Sequence, residues 1–191
     1  MSEQPIGILL AAGLSQRFGS KKQLHLLSDN KPMVLLTAEK LASALPNSVV
    51  VIHPDLSALI IQFQQLGLEV VVNEQANDGI GSSIACGVRA SQDASGWLIT
   101  LADMPFVQAE TITLLASKLV NSTKIIRPVY EQQPGHPVGF SHSYKDELLK
   151  LTGDLGARRV IEMHRSELEL MPTDDAGVVT DIDHVNDLRK L

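Results

Sequence analysis

Ile6-Gly7-Ile8-Leu9-Leu10-Ala11-Ala12-Gly13-Leu14-Ser15-Gln16-Arg17-Phe18-Gly19-Ser20-Lys21-Lys22 begins as an apolar run, passes through three small residues and ends among cations. A continuous apolar run of this length, with no polar alternation, reads as a strand covered on both faces, which is the habit of parallel sheets. In an open α/β sheet the loop after such a strand lies at the carboxyl edge, where ligands bind. Ala11, Ala12 and Gly13 allow backbone to approach a ligand closely. A glycine-bearing turn also aims several backbone N–H groups at one anion. Arg17 then offers a planar fork to phosphate oxygens, and Lys22 a movable point charge. Two familiar phosphate loops do not fit. Five residues separate Gly13 from Gly19, and Ser20 stands before Lys21, whereas the P-loop reads G-x-x-x-x-G-K-S/T. The dinucleotide pattern GxGxxG is absent as well. A surface loop with incidental basic residues is the plain alternative, and the position after the first strand weighs against it.

Outward from this loop the chain alternates short apolar runs with longer amphipathic ones. Strands are expected at Ile6–Ala11, Ser48–His53, Leu68–Asn73, Gly96–Leu101 and Lys124–Pro128, and helices at Pro32–Leu45, Asp55–Leu66, Ile80–Ser91 and Gln108–Asn121. Val34, Leu35, Ala38, Leu41, Ala42 and Leu45 recur at helical spacing. Pro32 suits a first helical turn, and Asp55 is the expected cap of the following helix. This alternation predicts an α/β fold of Rossmann-like type, three αβα layers around a mostly parallel sheet. Beyond residue 128 the pattern loosens. Val129–Phe140 reads as a loop or hairpin, Tyr144–Leu151 and Gly156–His164 as helices, Leu168–Met171 and Val178–Thr180 as short strands, and His184–Leu191 as a last helix. No repeat or linker interrupts the chain, so residues 1–191 are expected to form a single domain.

Composition narrows the function. The chain of 191 residues is 44% hydrophobic but only 4% aromatic, so its core is aliphatic. A net charge of −6 argues against a general nucleic-acid binder, which needs a basic footprint. The lone Cys86 excludes an internal disulfide and a zinc site built on several cysteines, and its apolar helical setting marks it as an inert thiol. Met1–Pro5 lacks the basic start and apolar stretch of a signal peptide, and no run reaches transmembrane length. A cytoplasmic protein with no nucleic-acid or membrane partner is the expectation.

Leu98-Ile99-Thr100-Leu101-Ala102-Asp103-Met104-Pro105 is a second strand that ends in a carboxylate, after which Pro105 turns the chain away. Asp103 is therefore expected at the same sheet edge as Gly13, with helix capping as its plain alternative. Thr180-Asp181-Ile182-Asp183 supplies further carboxylates near the end of the chain. Asn73 through Ser83 closes one strand and opens a helix, with Ser82 as a capping candidate. His136, between Gly135 and Pro137, is expected to be exposed in a fixed turn.

The pattern Leu-Ala-Ala-Gly-x-Ser-x-Arg-x-Gly-x-x-Lys, carried by Leu10, Ala11, Ala12, Gly13, Ser15, Arg17, Gly19 and Lys22, resembles the signature of the MobA-like nucleotidyltransferases. The resemblance implies that these residues wrap the triphosphate of a bound nucleotide, with Arg17, Lys22 and Asp103 catalytic and Lys21 ranked below Lys22. It implies that Asp103, in an Asp-x-Pro element, holds a catalytic Mg²⁺, a cation that takes one or two carboxylates plus phosphate oxygens. Asp181, Asp183, Asp187 and Leu188 resemble the family's Asp-Ile-Asp-Thr-Pro-x-Asp-Leu, with His184-Val185 replacing Thr-Pro. Asp183 is thereby the preferred second metal contact and Asp181 the alternative, with capping of the last helix as the rival role for Asp183. Gly79 and Ser83 match a Gly-x-x-x-Ser element on the nucleotide side. Gly135-His136-Pro137-Val138 and Gly153-Asp154-Leu155-Gly156-Ala157-Arg158 are similar to stretches of the molybdenum cofactor cytidylyltransferase subgroup, which implies acceptor contacts for His136 and Arg158. The plainer readings are a turn residue and a surface ion pair. Ala11-Ala12-Gly13, in place of Ala-Gly-Gly, points to CTP over GTP, and the Ala12 methyl is a steric reason to disfavour a purine. The implied reaction joins CMP to a molybdopterin-type cofactor, with a recipient molybdoenzyme or its chaperone as a further partner. Transfer from GTP to molybdopterin, another phosphorylated acceptor such as a sugar phosphate, and a non-catalytic nucleotide- or cofactor-binding protein are the competing readings; an NAD(P)-dependent oxidoreductase is a further one, against which the first loop argues.

Overall fold

The computed structural model of the chain describes residues 4–13, 24–27 and 31–182. Ser15, Arg17, Lys21, Lys22, Asp183 and the helix expected at His184–Leu191 lie outside the described residues.

The expected alternation is present. β1 (Ile6–Ala11), α1 (Met33–Ala44), β2 (Val49–Ile52), α2 (Ile60–Gln65), β3 (Glu69–Val72), α3 (Ile80–Ala90), β4 (Gly96–Leu101) and α4 (Ala109–Leu119) follow in order. They are succeeded by β5 (Ile125–Tyr130), β6 (Gln133–Pro134), β7 (Val138–Ser141), the short helices α5 (Lys145–Leu148) and α6 (Arg158–Met163), and β8 (Leu168–Pro172). Among the described residues these strands form one sheet of order β3-β2-β1-β4-β7-β5-β6, with β8 also paired to β5. β3, β2, β1 and β4 run parallel. β7 is antiparallel to both β4 and β5, while β8 is parallel to β5.

Side-chain alternation along β1 sorts the core into two layers. Leu9 and Ala11 pack with Val34, Ala38 and Leu41 of α1, Phe63 of α2 and Ile112, Leu115 and Leu119 of α4. Ile8 and Leu10 face the other way, toward Ile84 and Val88 of α3, Leu148 of α5 and Val160 of α6. Both faces are covered, which explains the unbroken apolar runs. Trp97 at the start of β4 is fully buried as a packing residue, its indole N–H donating to Ser91 Oγ at 3.0 Å.

Two local expectations are corrected, and a third is narrowed. Asp55 does not cap a helix: Pro54–Leu59 is a 3-10 turn, and the His53 ring accepts the Asp55 backbone N–H at 3.1 Å. Val178–Thr180 is not a strand but part of a 3-10 turn over Ala176–Val179, started by Asp175, whose side chain accepts the Gly177 N–H. Val129–Phe140 resolves into a hairpin. Glu131 and Gln132 both take positive φ (44° and 69°), the geometry of a two-residue turn that matches strand twist.

Candidate active site at the β1–β4 crevice

In the order β3-β2-β1-β4 the chain reverses direction across the sheet between β1 and β4, and open α/β folds bind ligands in the crevice beyond the carboxyl ends of such strands. Gly13 and Asp103 stand there. The two strand ends are stitched together by the Ala102 N–H donating to Leu10 O at 3.2 Å. Leu10, Ala11 and Ala12 are buried while Gly13 is exposed, so the chain comes to the surface at the glycine itself. The Ala12 methyl packs in the α3-side core, and that burial takes it out of an open wall against which a base would press.

The turn that carries Asp103 is held from α1. Thr37 Oγ1 donates to Ala102 O at 3.2 Å, and Lys40 Nζ to Pro105 O at 2.6 Å. Burial lowers the Lys40 pKa, and the Asp175 and Glu110 carboxylates oppose that shift. Asp103 is half-buried. It does not serve as the cap of α4, which starts at Ala109. Asp175 reaches that end from a distant part of the chain, its Oδ2 accepting from the Gln108 N–H at 2.9 Å and from Thr111 Oγ1 at 2.7 Å.

The late part of the chain folds back over this turn. A Cβ on Gly177 would overlap the Phe106 carbonyl, and a Cβ on Gly135 would overlap the carbonyl of Val178. Only glycine lets the 176–179 turn lie between the Asp103 loop and the Gly135-His136 loop. The His136 N–H donates to Val178 O at 2.8 Å, and the Ile182 N–H to Asp103 O at 2.9 Å. The Asp181-Ile182-Asp183 segment is thus delivered to Asp103 as far as Ile182. Asp181 is exposed.

His136 departs from its expected exposure. It is half-buried, and its Nδ1 is buried with no hydrogen-bond partner among the described residues. Burial pushes its pKa down to about 4, the Arg127 guanidinium adds to that, and the Asp103 carboxylate pulls the other way. The ring is neutral at physiological pH, and the three groups share one electrostatic neighbourhood. No sequence motif marks Arg127, an arginine inside an otherwise apolar strand. Its Nε donates to Gly135 O at 2.9 Å and its Nη2 to Pro134 O at 3.3 Å.

At the start of α3, Gly79 takes φ +91°, and a Cβ there would overlap Gly153. The Gly153 N–H donates to Asp78 O at 2.7 Å and the Gly81 N–H to Gly153 O at 2.9 Å, which pins the Gly153–Gly156 segment across the start of α3. Ser83 is buried and accepts from Asn73 Nδ2 at 3.0 Å, and so does Ser82. Ser82 does not cap α3: its hydroxyl lies 2.8 Å from the carbonyls of Gln75 and Gly79. Asn73 organises both serines through its side-chain amide. Arg158 makes the surface ion pair that its plainer reading predicts. It is exposed, and its Nε donates to Glu162 Oε1 at 2.8 Å one turn on.

A glycine loop and a carboxylate at adjacent carboxyl strand ends define an α/β protein built to hold a phosphorylated ligand. The family model described as the MobA-like NTP transferase domain matches residues 7–168, and the chain belongs to that family of nucleotidyltransferases. It is similar to a nicotine blue oxidoreductase of Paenarthrobacter nicotinovorans, 24% identical, over 97% of this chain and 95% of the relative. It is also similar to a probable molybdenum cofactor guanylyltransferase of Pyrococcus furiosus, 31% identical, over 63% of this chain and 58% of the relative. The crystal structure of Rv0371C from Mycobacterium tuberculosis H37Rv in complex with manganese superposes with a TM-score of 0.81 at 26% identity, covering 98% of this chain and 97% of that one.

Proposed function

We propose that this nucleotidyltransferase moves CMP from CTP to the terminal phosphate of a molybdenum-molybdopterin cofactor and releases pyrophosphate. The observation that supports nucleotidyl transfer is that Gly13 and Asp103 each follow directly on the ends of β1 and β4, which are bonded to each other through Ala102 N–H and Leu10 O. In the proposed reaction an acceptor phosphate oxygen forms a bond to the α-phosphorus of the nucleotide, and the bond to the β-phosphate oxygen breaks. The nucleophile is already ionised, so no strong general base is required. Alignment and electrostatics supply the acceleration. Arg17, Lys22 and the Gly13 loop amides would hold the departing pyrophosphate, with Ser15 in the same loop. Gly79 and Ser83 would border the nucleoside.

A divalent cation fits the donor set. Among the described residues no three His, Cys, Asp or Glu side chains cluster as an all-protein cage, and a hard cation of the Mg²⁺ type is held by one or two carboxylates with phosphate oxygens and water. Asp103 would hold it, with Asp183 as second contact, and the cation supplies neutralisation of charge on the phosphate oxygens. The Rv0371C complex contains manganese, which supports use of a divalent metal.

Choice of CTP rests on Ala11-Ala12-Gly13. A second reading, GTP to molybdopterin, is favoured by the relative named as a guanylyltransferase and by the burial of the Ala12 methyl, which weakens the steric case against a purine. The test is pyrophosphate release with each nucleotide, a divalent cation and molybdenum cofactor. Turnover with CTP and not GTP is expected, and the reverse preference selects the second reading. Asp103→Ala is expected to abolish release with its melting temperature retained. Full activity in that variant removes the metal assignment.

A further inference from the structure

Arg127 is a half-buried cation with no carboxylate within ion-pair distance among the described residues. Its guanidinium has five N–H donors. Those with an acceptor there are Nε, to Gly135 O, and one on Nη2, to Pro134 O. Both acceptors are neutral carbonyls in the loop that leads into His136. A guanidinium cannot shed its proton to escape an apolar setting, and a charge drawn out of water is costly unless it is paired. The two carbonyl bonds hold the fork in one orientation without neutralising it. The Nε side of the fork is fixed on the Gly135 loop while its Nη2 side lies at the surface, so the unused N–H groups are open to an anion arriving from outside.

We propose that Arg127 is a binding residue for a phosphate monoester, its remaining N–H groups gripping the oxygens of the acceptor's terminal phosphate beside Asp103 and His136. This rests on the nucleotidyl-transfer reading only in naming that phosphate as the acceptor's. Planar, two-point recognition of phosphate is what arginine does and lysine does not. A fork already anchored through Nε loses little freedom when an anion arrives.

Two measurements test the assignment. In the first, inorganic phosphate is titrated into the ¹⁵N-labelled full chain while arginine Nε–H resonances are followed, Arg127 being identified by its loss in Arg127→Lys. A saturable shift of that resonance is expected in the wild type and in Asp103→Ala, with weaker phosphate binding in Arg127→Lys and Arg127→Met. No shift, or equal affinity in all variants, overturns the proposal. In the second, both substrates are varied in the pyrophosphate assay. Arg127→Met is expected to raise KM for the phosphorylated acceptor about tenfold or more with KM for the nucleotide unchanged, and Arg127→Lys is expected to recover part of the loss. A rise confined to the nucleotide KM, or a uniform fall in kcat with a lowered melting temperature, marks Arg127 as a nucleotide contact or a simple loop clamp and overturns the proposal. If no nucleotide is turned over at all, the functional reading fails, and the phosphate titration alone decides Arg127.

Discussion

His136 illustrates how far an individual side chain escapes sequence reading. Glycine and proline beside it predict an open turn, yet its Nδ1 is buried and its pKa lies near 4. The cause is the packing of Gly135 against Val178 and the nearness of Arg127, neither of which is adjacent in the chain. The shift has a consequence for stability. An unfolded histidine takes up a proton near pH 6.5, while the folded ring resists it until about pH 4. The unfolded state therefore binds more protons in that window, and folding stability falls as pH drops from about 6.5 toward 4. In urea unfolding the wild type should lose up to about 3 kcal/mol more stability than His136→Gln between about pH 6.5 and 4. A constant gap between the two across that range would contradict the buried neutral ring. Asp103, in contrast, was legible, because the end of an apolar strand followed by Met104-Pro105 is a local signal.

Elements were legible where their periodicity is local. β1, β2, β4, α1, α3 and α4 were read to within a few residues of their observed bounds. The β5–β6 hairpin was left open between loop and hairpin, because Glu131-Gln132 takes a turn usually marked by Asn-Gly or Gly-containing pairs. The 176–179 turn was misread as a strand because Val178 and Val179 favour extended backbone, while the Asp175 side chain and the close approach to Phe106 select the tighter turn. That turn holds the late chain against Asp103. Removing the Asp175 carboxylate leaves the Gln108 and Gly177 N–H groups and the Thr111 hydroxyl without it. Asp175→Ala is expected to cost about 2–4 kcal/mol in denaturant unfolding and to lower transferase activity in the still-folded fraction. Unchanged activity there would separate the turn from the site.

For the whole molecule the measurable quantity is linkage. A nucleotide that binds only the folded chain stabilises it in proportion to the logarithm of its concentration, about 2.7 kcal/mol at a hundred times Kd. CTP with a divalent cation is expected to raise the melting temperature by several degrees, more than GTP does, and a chelator should remove most of the gain. A larger shift with GTP supports guanylyl transfer, and equal shifts with and without chelator separate nucleotide binding from the metal. Among the described residues no helix is long and apolar enough to cross a membrane.

By itself the sequence determined the αβα alternation, the glycine loop after β1 and the carboxylate after β4, because each is written in residues that are neighbours along the chain and obey a strand or helix period. Only the tertiary structure decided that β7 inserts antiparallel between β4 and β5, that Arg127 braces the loop leading into His136, and that Ile182 returns to the Asp103 carbonyl. Those contacts join residues that are not neighbours along the chain. Burial, charge and close glycine packing there depend on partners that no local pattern names.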